Sequence, residues 1–204
     1  MADTDLALPT RIRRQTLRND YGFECECSRC AGVVYRGEAV DVAMEAMGEA
    51  DEVEGWPVGQ LLEASEAVLA RAERMTDCRE ALKLTFEALR IRRMCCHPLS
   101  MQRYHAEEAA RDLATQAGET EIARECGGHA LAFLQMALSH VSWHPGLSLE
   151  RFQQAQREVA AGDAVAALEH LSRCEAALSI THGSGHALTR RVLDFRKQVV
   201  SDPL

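Results

Sequence analysis

Proline is scarce in this chain, five residues in 204, and no apolar run approaches the roughly 20 residues that a membrane-spanning helix requires. Positive charge is also in deficit: 23 Lys plus Arg stand against 31 Asp plus Glu, a formal charge of −8. With 47% of the residues hydrophobic, these shortages exclude collagen-like and low-complexity chains and disorder along the whole length. The acidity argues against broad nucleic-acid binding, which needs a basic surface to neutralise phosphates. No basic-then-apolar leader opens the sequence, which argues against a secretory signal. Lysine is nearly missing: Lys83 and Lys197 are the only two among the 23 basic residues, a bias of coding rather than of function.

Cysteine, by contrast, is plentiful and unevenly placed. Eight occur, at 25, 27, 30, 78, 95, 96, 126 and 174, three of them within six residues. A secreted disulfide scaffold would be shorter and denser in cysteine, so the pattern reads as a reduced intracellular protein with one thiolate cluster and several buried thiols.

The character of the chain changes near Val34 to Gly37. Before it, the basic run RIRRQTLR at 11–18 leads into YGFECECSRC at 21–30, a short helix or turn entering a metal-knuckle loop. After it, residues 37–66 hold nine acidic residues and no Lys or Arg, most simply a solvated face. Two domains follow, residues 1–36 and residues 37–204.

Helical periodicity dominates the second domain. Helices are predicted over about 38–50, from Trp56-Pro57 to about Met75, and from Asp77, a favourable N-cap, to Cys96-His97 before Pro98. Others are predicted over about 99–117, 119–141, 148–161, 163–181 and 186–200, with Gly118 and Gly162 as stops. No run alternates long enough to predict a core strand. Short turns join the helices in antiparallel pairs, so the predicted fold is all-α: an irregular tetratricopeptide-like (TPR-like) array preceded by a small zinc-binding loop. Gly127-Gly128 inside a helical stretch suggests close helix packing there, and the methionines at helical spacing suggest core filling.

The chemistry lies in Cys25, Cys27 and Cys30, spaced C-x-C-x-x-C. Three soft thiolates on one short loop select zinc over hard cations, but a structural zinc takes four ligands. The fourth lies elsewhere, in this chain or outside it. Cys95, Cys96 and His97 read as packing and a pre-proline turn, with a second metal site as the alternative. His97 and His144 both precede proline, where the ring caps a turn, and none of the eight histidines has a nucleophile context suited to a hydrolase. Arg11, Arg13, Arg14 and Arg18 sit beside enough acidic residues to favour an intramolecular or partner-facing role over phosphate binding.

The run RIRRQTLRNDYGFECECSRC resembles the post-SET segment of the SET- and MYND-domain protein-lysine methyltransferases. HPLSM at 97–101, HPGLSLERF at 144–152 and EAALSITHGSGHAL at 175–188 resemble the C-terminal helical domain of the same family, in the same order. The resemblance implies that Cys25, Cys27 and Cys30 ligate the post-SET zinc, with a fourth cysteine from an Asn-His-Ser-Cys motif of the SET core. It implies that Phe23 packs against the adenine of S-adenosylmethionine and that Tyr21 lines the lysine channel, with Gly22 where a bulky residue is common. No Asn-His-Ser-Cys motif occurs in the 204 residues, so no catalytic residue is assigned and the chain alone is expected not to methylate. The alternative is a non-catalytic TPR-like protein-protein interaction module. Under either reading the partners are proteins or peptides, histone or chaperone tails among them, with no membrane, and the location is cytoplasmic or nuclear.

Overall fold

The structure is a computed structural model that describes residues 6–47 and 51–201. The last residues of the helix predicted over 38–50 and both ends of the chain lie outside the described residues. Nine helices are present among them: α1 (Thr10–Tyr21), α2 (Val40–Glu45), α3 (Val58–Ala72), α4 (Cys78–Cys95), α5 (Met101–Ala117), α6 (Thr120–Ala137), α7 (Pro145–Ala160), α8 (Ala164–Thr181) and α9 (Ala187–Ser201). Four two-residue strands make two hairpins, β1 (Val34–Tyr35) with β2 (Glu38–Ala39) and β3 (Glu52–Val53) with β4 (Trp56–Pro57). None of the described helices is long and apolar enough to cross a membrane.

From α3 onward each helix packs chiefly on its neighbours in sequence, α3 on α4, α4 on α5, and so on to α9. Helices joined by turns of a few residues can pack this way only as antiparallel pairs, so the fold is the all-α array predicted. The termini follow local chemistry. Asp77 accepts the backbone N–H groups of Arg79 and Glu80 at the start of α4, and Ser100 and Asp163 do the same for Arg103 and Ala166 at α5 and α8. Gly118 ends α5 in the left-handed conformation at φ 76°. α7 begins at Pro145, three residues earlier than predicted, because His144 caps it: Nδ1 accepts from the Gly146 N–H at 3.2 Å.

Small residues let the helices approach. Ala106, Ala110 and Ala114 form one fully buried edge of α5, packed with Leu82 and Leu89 of α4 and with Ala123 and Cys126 of α6. At the far end Phe152, Ala155, Ala167, Leu171, Cys174, Leu178 and Val192 join α7, α8 and α9 in a second core cluster. Met44 and Met136 are buried as expected of core methionines, whereas Met47 is exposed. The glycine pair divides. A Cβ on Gly127 would lie 2.4 Å from Gln154 Oε1 and 2.6 Å from Arg157 Nη1, whereas one on Gly128 would meet nothing within 4 Å.

The two hairpins depart from the starts of two predicted helices, β2 at Glu38–Ala39 from the one over 38–50 and β4 at Trp56–Pro57 from the next. Arg36 and Gly37 both have positive φ (52° and 88°), as do Glu54 and Gly55 (52° and 80°), which is the signature of two-residue type I′ hairpin turns. Each hairpin runs directly into a helix, with Val40 donating to Val33 O and Val58 to Asp51 O. What is predicted to open a helix is therefore a strand, and α2 is only six residues long. Residues before it also enter the core of the array: Ala7 packs with Val40, Met44, Phe133 and Met136.

Candidate metal centre and groove

α1 delivers the knuckle. It ends at Gly22, whose left-handed backbone (φ 71°) lets its N–H reach Arg18 O and turns the chain away. Glycine at this position is thus a helix stop. Beyond it a turn closed by Ala31 N–H on Cys27 O brings Cys25, Cys27 and Cys30 together, their sulfurs within 4.8 Å of one another. Cys27 is exposed and the other two are half-buried. Among the described residues this is the one group of three or more potential ligands that could hold a metal ion. Three convergent sulfurs fit a soft, thiophilic ion, and such an ion would cross-link the loop.

The thiols are not alike. Desolvation works against the Cys27 thiolate, but hydrogen bonds from the Cys30 and Arg29 backbone and from the neighbouring thiols bring Cys27 down to about 7. Burial pushes Cys30 up, against the pull of the Arg13 guanidinium. Tyr21 and Phe23 flank the knuckle at 48% and 45% exposure.

The arginines of α1 turn out to be intramolecular. Arg14 donates to the carbonyls of both Cys25 and Cys30, at 3.2 and 3.4 Å. Arg13, fully buried, donates from Nη2 to Thr10 Oγ1 at 2.8 Å and to Cys30 Sγ at 3.3 Å. Arg18 pairs with Glu24 and Arg11 with Glu45. Between the last two cysteines, Arg29 is completely buried and pairs with Asp41 of α2 at 2.8 Å. Asp41 also accepts the Thr10 N–H at 3.1 Å and so caps α1 from another helix. Although partial burial opposes it, these bonds from Thr10 and Arg29 hold the Asp41 carboxyl below the ordinary range. Arg13, Arg14, Arg29 and Asp41 were not singled out as a set by sequence reasoning. The basic run and the arginine inside the cysteine motif were the available signals.

The other predicted residues settle into packing. Cys95 and Cys96 are buried, Cys96 directs its thiol to Gln102 Oε1 at 3.4 Å, and His97 Nδ1 accepts the Leu99 N–H at 3.1 Å in the pre-proline turn. Members of the acidic run find cations: Asp41, Glu45 and Glu66 pair with Arg29, Arg11 and Arg92.

A second feature lies on the alternate helices α3, α5, α7 and α9. A cleft of about 560 Å³ opens between α3 and α5, one of about 570 Å³ between α5 and α7, and one of about 650 Å³ between α7 and α9. Asp112 and Gln116 line the first and second clefts, and Gln156 lines the second and third, so neighbouring clefts adjoin across shared side chains. Amide side chains recur along the groove: Gln102, Gln116, Gln153, Gln156 and Gln198. Carboxylates outnumber guanidiniums at its α3 end, Glu66, Glu73 and Asp112 against Arg92, and the reverse holds at its α9 end, Arg190 and Arg191 against Asp194.

No protein-family model matches the sequence, and no curated protein matches it. Among solved structures the chain is similar to a Podosopora anserina protein of nearly identical TPR-like repeats, named for the kinesin light chain, and to a second structure of that protein carrying one substitution. Each is 18% identical, with a TM-score of 0.49, over 70% of this chain and 66% of the other. The chain thus spans just under two thirds of the length of that protein.

Proposed function

We propose that this chain is a protein-protein interaction module: a helical array that takes an extended peptide in the groove of α3, α5, α7 and α9, with a zinc-holding knuckle at its N-terminal side. The observation that carries this reading is the row of three adjoining clefts that share Asp112, Gln116 and Gln156. A glutamine amide both donates and accepts, so a row of them matches the repeating N–H and C=O of an extended backbone whatever its side chains. The acidic α3 end and the basic α9 end set polarity and direction. A peptide whose basic residues lie toward α3 and acidic residues toward α9 is the ligand.

Selection from a displayed library of random peptides tests this directly. Enriched sequences should carry opposite charge at their two ends, and their affinity should fall about tenfold with Gln116→Ala plus Gln156→Ala, the equivalent of about 1.4 kcal/mol. A library that yields no ligand, or ligands indifferent to both substitutions, refutes the groove.

One observation favours a second reading, in which the chain is the C-terminal portion of a SET-domain lysine methyltransferase. Three sulfurs are one short of a structural zinc set, and the exposed Phe23 and Tyr21 beside them suit a surface that another domain completes. That domain would supply the fourth ligand and the S-adenosylmethionine site. An antibody against residues 148–200 discriminates: a cellular species well above 22.6 kDa supports this reading, and a single band at 22.6 kDa sinks it.

A further inference from the structure

Two guanidinium groups, of Arg13 and Arg29, are buried beside the knuckle, and among the described residues one carboxylate, Asp41, faces them. Arg29 takes that carboxylate. Among the described residues Arg13 has none: its hydrogen-bond acceptors there are Leu6 O, Thr10 Oγ1 and the sulfur of Cys30. A buried cation without a carboxylate is costly unless a second anion lies against it. Cys30, once it is a metal thiolate, is that anion. His140 registers the same surplus of positive charge: burial, and then the nearby Arg29 and Arg13, hold its imidazole below its usual value and so favour the neutral ring.

We propose that Arg13 is the outer-sphere positioning residue of the metal centre: it orients and stabilises the Cys30 thiolate and thereby couples metal loading to the seating of α1 on the array. The coupling runs through atoms already in place. The same Arg13 Nη2 that reaches Cys30 Sγ also holds Thr10 Oγ1, and the Thr10 N–H is held by Asp41 of α2. Arg14, bonded to the carbonyls of Cys25 and Cys30, fixes the two ends of the knuckle on the same helix. Outer-sphere hydrogen bonds of this kind tune ligand basicity and orientation, and their loss weakens metal affinity by about 10–100-fold.

This inference rests on the knuckle holding a metal, and the test separates the two. Cobalt(II) is titrated into the full chain and read by the sulfur-to-cobalt charge-transfer absorption and by the thermal transition. Wild type that develops no charge-transfer band overturns the metal reading itself. Given a band, Arg13→Met should weaken cobalt affinity about 10–100-fold and move the band to lower energy, because a thiolate relieved of a guanidinium gives up its electron more easily. Arg29→Met, which removes a buried cation that reaches Asp41 and Met44 Sδ but no cysteine sulfur, should lower the melting temperature and leave the band in place. Wild-type affinity and band position in Arg13→Met, or an equal band shift in Arg29→Met, overturns the proposal. Should Arg13→Met fail to fold, Thr10→Val decides: it removes the hydroxyl that steadies Arg13, and an unchanged band and affinity there overturns the proposal as well.

Discussion

The N-terminal knuckle and the α7–α9 end of the array are held together by different physics. At α7–α9, Phe152, Leu171, Leu178 and Val192 are buried together, with Phe152 and Phe195 meeting edge to face at a centroid distance of 5.7 Å. Non-directional apolar burial supplies most of the stability there. Around the knuckle, Phe23 and Tyr21 are half exposed and the contacts are directional: guanidinium to carboxylate, guanidinium to carbonyl, guanidinium to sulfur. Such a region orders itself around charge and, with a metal, around coordination, so its stability depends on solution conditions that leave an apolar core untouched.

The largest way to break this comparison is Cys25→Ser. Metal binding should be lost, with no charge-transfer band on cobalt titration, while the cooperative melt of the array and peptide binding in the groove persist. A collapse of the whole melt would show that the two regions are one cooperative unit. Next in size, Leu171→Ala should destabilise the array by about 2–5 kcal/mol in urea unfolding while cobalt affinity stays put. Acid should separate the regions in order. Cys27 at about 7 favours its thiolate in the folded loop, so its contribution is full at alkaline pH and is lost as pH falls through that value, weakening metal binding first. Glu107 is buried, and despite that desolvation His129 and Arg93 hold its carboxyl below the glutamate range. Its contribution is therefore present above the unfolded value of about 4.3 and lost only as pH falls through the lower folded one. Circular dichroism against pH, with and without metal, should show the metal-dependent change near neutrality and helix loss only in strong acid.

The smallest effects separate two neighbouring glycines. Gly127→Ala forces its Cβ against Gln154, which is buried and donates to Arg124 O at 3.1 Å and to Glu158 at 2.7 Å. Breaking those bonds should cost about 1–3 kcal/mol. Gly128→Ala has open space and should instead stabilise α6 by about 1 kcal/mol. Chemical denaturation of the two variants side by side checks both the sign and the size.

Much of the array was legible in the sequence because helices announce themselves locally. Asp77, Asp163 and Gly118 act within one turn of their own positions, and Ala167, Leu171, Cys174 and Leu178 repeat with the helix. The hairpins were missed because two-residue strands have no period to read, although Arg36-Gly37 after Val34-Tyr35 and Glu54-Gly55 between Val53 and Trp56 were the available signal. The cysteine triad was legible through its spacing, since ligands on one loop are near in space because they are near in chain. Its surroundings were not: Arg13 and Cys30 are 17 residues apart, and Asp41 is 31 from Thr10.

The sequence by itself therefore determined the long helices of the array, their local caps and the three sulfurs, all of which follow from interactions spanning a few residues. Only the tertiary structure decided which cation meets which sulfur, that Asp41 of α2 caps α1, and that glutamines from α5, α7 and α9 fall along one groove. Those depend on how helices pack across long chain separations, where each contact is set by the sum of all the others.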